Sequence, residues 1–207
     1  MYLPRPFVMD PAEVRSFAAA AGSLELITAG ADGVPWATRL PFVWEGDTVR
    51  MHLARPNPQV AAIGAGSHAL AVISGAEAYV SPSFYPAKAE HGRVVPTLNY
   101  SAVHLRGMAT LIEDAAWLHA HVRALSDLYE AAEACPWSVD DAPGDFIDQH
   151  LRGIVGVELR VTGVEAKAKW SQNRSAADQA GVLAGLQARG DDAAVAQMRS
   201  TGGATTG

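Results

Sequence analysis

Ala78-Tyr-Val-Ser-Pro-Ser-Phe-Tyr-Pro-Ala-Lys88, then a charged stretch, then Val95-Pro-Thr-Leu-Asn-Tyr-Ser-Ala-Val-His-Leu-Arg-Gly107 is the passage around which this chain is organised. Two strand-like runs flank a loop punctuated by Pro82, Pro86 and Pro96, residues that cannot donate to a central ladder. Tyr79, Ser81, Ser83, Tyr85, Thr97, Asn99, Tyr100 and His104 crowd into it. Aromatic faces beside a few polar groups suit a flat ligand with a polar edge. The same residues also suit a long hairpin whose hydroxyls serve turns and cross-strand pairs. Both readings stand on the residues alone.

Upstream, Asp10, Pro11 and Glu13 give a capped helix start, with Val14, Phe17 and Ala18 on its buried face and Gly22 at its end. Strands are expected over 24–29, 35–44, 48–54, 68–74 and 77–81, with connections too short for parallel crossovers. Asn57-Pro58 opens a short helix, so Arg55 and Asn57 stand where a strand runs into a helix N-terminus. Such a junction favours an anion, or Arg55 is a surface cation and Asn57 only a cap.

Downstream, 87–95 reads as a charged loop and 100–112 as an alternating strand. Asp114 caps a long helix to about Ala134; His119 and His121, two apart, face different ways and make no metal pair. A short helix over 143–152, a strand over 154–170 interrupted at Gly163, and helices from Ser175 complete the chain. About six antiparallel strands with appended helices predict a mainly β (α+β) fold, a small closed or split barrel. One domain is expected over 1–199, with a helical insertion at about 114–152, C-terminal helices at about 175–199 and a disordered tail over 200–207.

Composition narrows the function classes. Of 207 residues, 49% are hydrophobic and 18% charged, enough to bury a core and too few charges for disorder. No apolar run reaches the roughly 18 residues of a membrane span, and the N-terminus lacks the order of a secretory signal. Cys135, the single cysteine, reads as a half-buried small apolar residue without a thiol partner. A cytoplasmic location is expected. The net charge of −6, without a Lys/Arg run, argues against non-specific nucleic-acid binding.

Four motifs in order carry a resemblance: Met1-Tyr-Leu-Pro4, His52-Leu-Ala-Arg-Pro-Asn-Pro-Gln59, the 79–104 passage, and Lys169-Trp-Ser-Gln-Asn-Arg174. Together they resemble the PaiB family, FMN-binding negative transcriptional regulators. The family usually carries Trp where this chain has Phe84 and Leu98. The resemblance implies an FMN-binding split barrel in which two chains pair, with the flavin in the groove at the subunit interface. It places Thr38, Arg39, His52, Leu53, Ala54 and Arg55 at flavin-facing positions, with Arg39 and Arg55 as phosphate partners supported by Asn57 and Gln59. Ser81 and Ser83 would reach the ring or ribityl chain, and Tyr85, Thr97, Asn99, Tyr100 and His104 would line the open side. Lys169, Gln172, Asn173 and Arg174 form a polar arm, or a solvated strand-to-helix junction.

The expected function is that of a homodimeric FMN-binding protein and negative regulator, touching DNA directly or through a partner and taking a small-molecule ligand. The alternative is an FMN-dependent oxidoreductase on a small molecule, the flavin carrying the chemistry. A haem protein with His52 or His104 as ligand ranks last.

Overall fold

Phe42 alone joins two strands that stand at opposite ends of the sheet order, and this link fixes the architecture. The computed structural model describes residues 1–202; of the expected tail, 203–207 lie outside the described residues. Seven strands run β1 Ser23–Ala29, β2 Pro35–Pro41, β3 Val43–Glu45, β4 Thr48–Ala54, β5 Ser67–Val80, β6 Thr97–Ile112 and β7 Ile154–Lys169. Their order in the sheet is β2-β1-β5-β6-β7-β4-β3. Laid flat, seven strands at about 4.8 Å spacing would part β2 from β3 by roughly 29 Å. A single intervening residue spans roughly 7 Å, so the sheet curls back on itself. The fold is an antiparallel split β-barrel, with seven strands where about six were expected.

Helices α1 Pro11–Ala21, α2 Pro58–Ile63, α3 Ala87–Glu90, α4 Ala115–Glu130, α5 Gly144–Leu151, α6 Ala176–Ala188 and α7 Asp192–Gly202 fill the connections. The chain divides into two compact units. One comprises 21–73 and 104–164; the other comprises 1–20, 74–103 and 165 onward. The first, the barrel unit, holds β1 to β4 entire and part of β5, β6 and β7. Strand alternation sends Leu24, Leu26, Val49, Met51, Leu53, Val155, Val157 and Leu159 into its interior, each at most 1% exposed. Gly107 lets β6 approach β7: a Cβ there would stand 2.0 Å from the Arg160 carbonyl oxygen.

The second, the helical unit, corrects several expectations. No break occurs at Gly75; β5 continues through it because the Phe17 ring occupies the place of a side chain, 2.4 Å from an ideal Cβ. The 87–95 stretch is not all loop, since buried Asp178 accepts the Ala87 N–H at 3.3 Å and anchors α3. Strand β7 runs unbroken past Gly163. Helix α7 extends to Gly202, past the expected start of the tail at 200. In the barrel unit α4 stops at Glu130, and Cys135 beyond it is exposed rather than half-buried.

Candidate functional site

At one corner of the barrel unit, strand β2 meets helix α2 through a closed polar network. The Thr38 hydroxyl donates to Gln59 Oε1 at 2.6 Å and accepts from Asn57 Nδ2 at 3.2 Å. Asn57 Oδ1 accepts the Gln59 N–H, capping α2 as its Asn-Pro signature predicts, and Gln59 Nε2 donates to the Leu26 carbonyl. Thr38, Asn57 and Gln59 are thus brought together, but each amide is spent at both ends. Gln59 is wholly buried.

Arg55 is likewise committed. Its Nε and one Nη donate to the carbonyls of Arg152 and Ile154 at 3.1 Å, and the other Nη pairs with Glu113 at 2.8 Å. The guanidinium ties the end of β4 to the turn entering β7. Leu53 packs in the barrel interior, 1% exposed, so only its neighbours on the opposite face of β4 are open to a ligand. Arg39 stays exposed on β2, with Glu25 at 3.6 Å and Ser23 accepting from its Nε.

His52 does not stand as a lone strand histidine. Its Nδ1 lies 3.2 Å from His121 Nε2, and His121 stacks on Trp117 one helical turn earlier, ring centroids 5.0 Å apart. Trp117 lies over Gly156, where a Cβ would meet its ring at 2.3 Å, and donates from Nε1 to Glu158 at 2.9 Å. Burial drives the His121 pKa down to about 3, aided by His52 and Arg50; burial lowers His52 as well. Both rings are neutral at pH 7. His121 Nδ1 is buried without a partner, which favours the tautomer in which His121 donates from Nε2 to His52. A haem role for His52 does not match this engagement. The sequence signal missed was Trp117 and His121 at i, i+4 on a helix.

Another feature of the barrel unit was not anticipated. A groove of about 560 Å³ is lined by Ile27, Thr28, Pro35, Leu70, Arg106 and Thr162, among others. Thr28 is 2% exposed, and its hydroxyl has no hydrogen-bond partner. His104, half-buried on β6, belongs to this unit but not to the groove lining.

The helical unit gathers the remaining candidates. Segment 97–101 lies beside 169–171. Lys169 Nζ donates to the Thr97 hydroxyl and to the Leu98 carbonyl at 2.9 Å; Asn99 Nδ2 donates to Ser171 Oγ at 3.0 Å; Trp170 Nε1 donates to Ser101 Oγ at 2.8 Å. Tyr85 and Asn99 do not line an open side: they are 2% and 0% exposed. Gln172 folds back, accepting the Trp170 N–H and donating to the Ala168 carbonyl, both at 2.6 Å, so the arm is a tight turn. Asn173 is exposed, and Arg174 sits with its guanidinium 5.1 Å from the Tyr85 ring centre. Tyr100, half-buried, lies 5.1 Å from Lys167 Nζ. Ser81 caps the turn over Pro82–Phe84, its Oγ accepting the Ser83 N–H and lying 2.7 Å from Ser83 Oγ. Phe84 packs on Gly185 of α6, where a Cβ would fall 2.4 Å from its ring, so it serves helix docking. Among the described residues, no group of three His, Cys, Asp or Glu could hold a metal ion, and no helix is long and apolar enough to cross a membrane.

The sequence model of the family described as "Putative FMN-binding domain" matches residues 1–163. "Protease synthase and sporulation protein PAI 2" of Bacillus subtilis strain 168 is 30% identical over 191 residues, covering 90% of this chain and 89% of that protein. A conserved hypothetical protein of Mycobacterium tuberculosis superposes with a TM-score of 0.59 at 15% identity, over 81% of this chain and 90% of its own. The FAD and heme binding protein of Mycobacterium smegmatis superposes with a TM-score of 0.55 at 16% identity, over 80% and 74%. At those identities the structural likeness concerns the fold.

Proposed function

The chain belongs to the PaiB family, whose model is that of a "Putative FMN-binding domain", and from that membership we propose that it binds a flavin, FMN, in the groove of its barrel unit. The carrying observation is the groove itself. Its volume of about 560 Å³ lies within the roughly 300–1,000 Å³ of small-molecule sites. Ile27, Pro35 and Leu70 offer apolar wall to a planar ring. The exposed Thr162 hydroxyl, which donates to the Arg106 carbonyl and keeps its lone pairs, adds a polar edge to the lining, and hydrogen bonds to ring edges orient a flavin. Arg106 supplies a cation in the lining for the phosphate, and Arg39, on the Pro35 side of β2 by alternation, a second cation farther along. The bound flavin would supply electron transfer. Of the earlier candidates in this unit, Thr38, Asn57, Gln59 and Arg55 act as frame rather than ligand contacts.

The family resemblance and the half-exposed Ile27, Leu70 and Val72 on one side of β1 and β5 support pairing of two copies through this unit. Family membership supports a regulatory role; with a net charge of −6 it acts through a partner rather than by gripping DNA. Native mass spectrometry of the protein as purified, with titration of the apoprotein by FMN, tests the reading. A mass addition of one FMN per chain and a Leu70→Glu variant at least tenfold weaker are expected. Absence of flavin together with no saturable FMN binding overturns it. Anaerobic NAD(P)H, which bleaches an enzyme's flavin and leaves a binder's oxidised, separates regulator from oxidoreductase.

A further inference from the structure

We propose that the helical unit carries an oxyanion site, built by Lys169 and Arg174 with Lys167 behind them, that takes the dianionic phosphate of a small phosphorylated molecule. The inference stands on this cluster and not on the flavin reading of the groove. Lys167 is only 7% exposed, yet among the described residues its ammonium has no carboxylate partner: it donates to the Tyr2 carbonyl at 3.2 Å and lies over the Tyr100 ring. Lys169, two residues on along the same face of β7, reaches only Thr97 and the Leu98 carbonyl. Arg174 faces the Tyr85 ring, and no ion pair joins it to a described carboxylate. The nearby acids are engaged elsewhere. Asp178 holds the Ala87 N–H, and Glu165 pairs with the N-terminal ammonium.

Three cations therefore lean on carbonyls and aromatic faces, which hold positive charge without neutralising it. Burial, and then the charges of Lys167 and Arg174, push the Lys169 pKa down. The setting also holds an unused polar group. Among the described residues the buried Tyr85 hydroxyl, a donor, has no hydrogen-bond partner. Asn99 bonds Ser171, the one described non-glycine residue in the left-handed region, φ 69°, and Arg174 lies against the Tyr85 ring. Local strain of this kind is held in place where a loop must present particular groups. Lys169 and Arg174 are half-exposed, open to an ion from solvent. The guanidinium fork of Arg174 and the ammonium of Lys169, with the charge of Lys167 behind them, match a phosphate dianion in charge and offer only donors to it.

The test uses inorganic phosphate at constant ionic strength, read by calorimetry and by NMR of lysine side chains. Saturable phosphate binding that chloride does not mimic is expected, with the Lys169 pKa rising on saturation. Lys169→Met and Arg174→Gln each should weaken binding at least tenfold, with Arg174→Lys recovering part of it. FMN and riboflavin titrations of the same variants identify the source. If both variants lose FMN but keep riboflavin, the site holds the phosphate of the flavin, and the assignment of that phosphate to Arg106 in the groove fails. If FMN affinity is unchanged while phosphate affinity falls, the site serves a separate phosphoester, and the groove reading is untouched. Phosphate binding no better than chloride, or equal in wild type and both folded variants, overturns the proposal.

Discussion

The β2–α2 corner of the barrel unit and the 97–101/169–174 cluster of the helical unit are both rich in side chains that read as ligand contacts, yet they differ in their accounts. At the corner every donor meets an acceptor: Thr38, Asn57 and Gln59 satisfy one another and the Leu26 carbonyl, and Arg55 fills three acceptors. In the cluster three cations pair with no described carboxylate, and the buried Tyr85 hydroxyl has no partner among the described residues. A saturated buried network rigidifies a fold, and one of its members cannot turn to a ligand without leaving an orphan behind. An unsaturated one keeps capacity for something that arrives.

The largest effect that would break this contrast is at Gln59. Truncation to Ala leaves the Thr38 hydroxyl and the Leu26 carbonyl short of a partner and opens a cavity beside wholly buried neighbours. A loss of roughly 3 kcal/mol is expected in urea unfolding. A loss below about 1 kcal/mol, the worth of an ordinary replaceable hydrogen bond, would mean the corner is not the closed frame described.

The His52–His121 pair, next in size, sharpens the contrast through pH. Burial holds both rings neutral in the fold, His121 down to about 3, while the unfolded chain takes up protons near pH 6.5. The unfolded state therefore binds more protons below pH 6.5, and stability falls as pH drops from there toward 3. His121 alone accounts for about 2 kcal/mol lost by pH 5. Arg50 adds a repelling charge, and Glu158 is held by the Trp117 indole. Urea unfolding at pH 7 and pH 5 should show this slope, and His121→Phe should flatten it. An unchanged slope in a folded variant would assign the acid sensitivity elsewhere.

These effects mark how far residues can be read without coordinates. Local signals carried well: Asn57 before Pro58 had to cap, Asp114 had to start α4, and alternation along β4 and β7 had to bury one face. The antiparallel barrel followed from short connections between alternating runs. What failed was anything decided by distant partners. Arg55 at a strand-to-helix junction looks alike whether it meets a phosphate or the Arg152 and Ile154 carbonyls, about a hundred positions away in sequence. Tyr85 and Asn99 looked open because the packing that buries them comes from elsewhere in the chain. The groove drew on Thr28, Leu70 and Arg106, none of which stands in a motif. Gly181 and Gly185 on α6 did carry a readable spacing for the Phe84 contact, one turn apart on one face.

Arg55 gives a smaller test. With its side chain 44% exposed, its ion pair with Glu113 is screened, and the two carbonyl contacts carry most of its worth. Arg55→Ala should cost about 1 kcal/mol in unfolding and change FMN affinity less than threefold. A tenfold loss of FMN affinity at unchanged stability would return Arg55 to the phosphate and make the corner a binding site after all.

The smallest expected effect is at Lys169, where two terms oppose each other. Lys169→Met removes hydrogen bonds to Thr97 and to the Leu98 carbonyl, which for a satisfied group would cost about 1 kcal/mol. It also removes a half-buried charge repelled by Lys167 and Arg174, and it keeps the apolar stem that packs along β7. These two terms oppose each other, so the unliganded variant should unfold within about 0.5 kcal/mol of wild type, roughly 1–2 °C in Tm for a chain of this size. Phosphate should then divide them, raising the wild-type Tm with concentration and leaving the variant where it was. A cost at Lys169 as large as that at Gln59, with no response to phosphate in either protein, would mean that its ammonium is as settled as the corner amides and that the two regions do the same structural work.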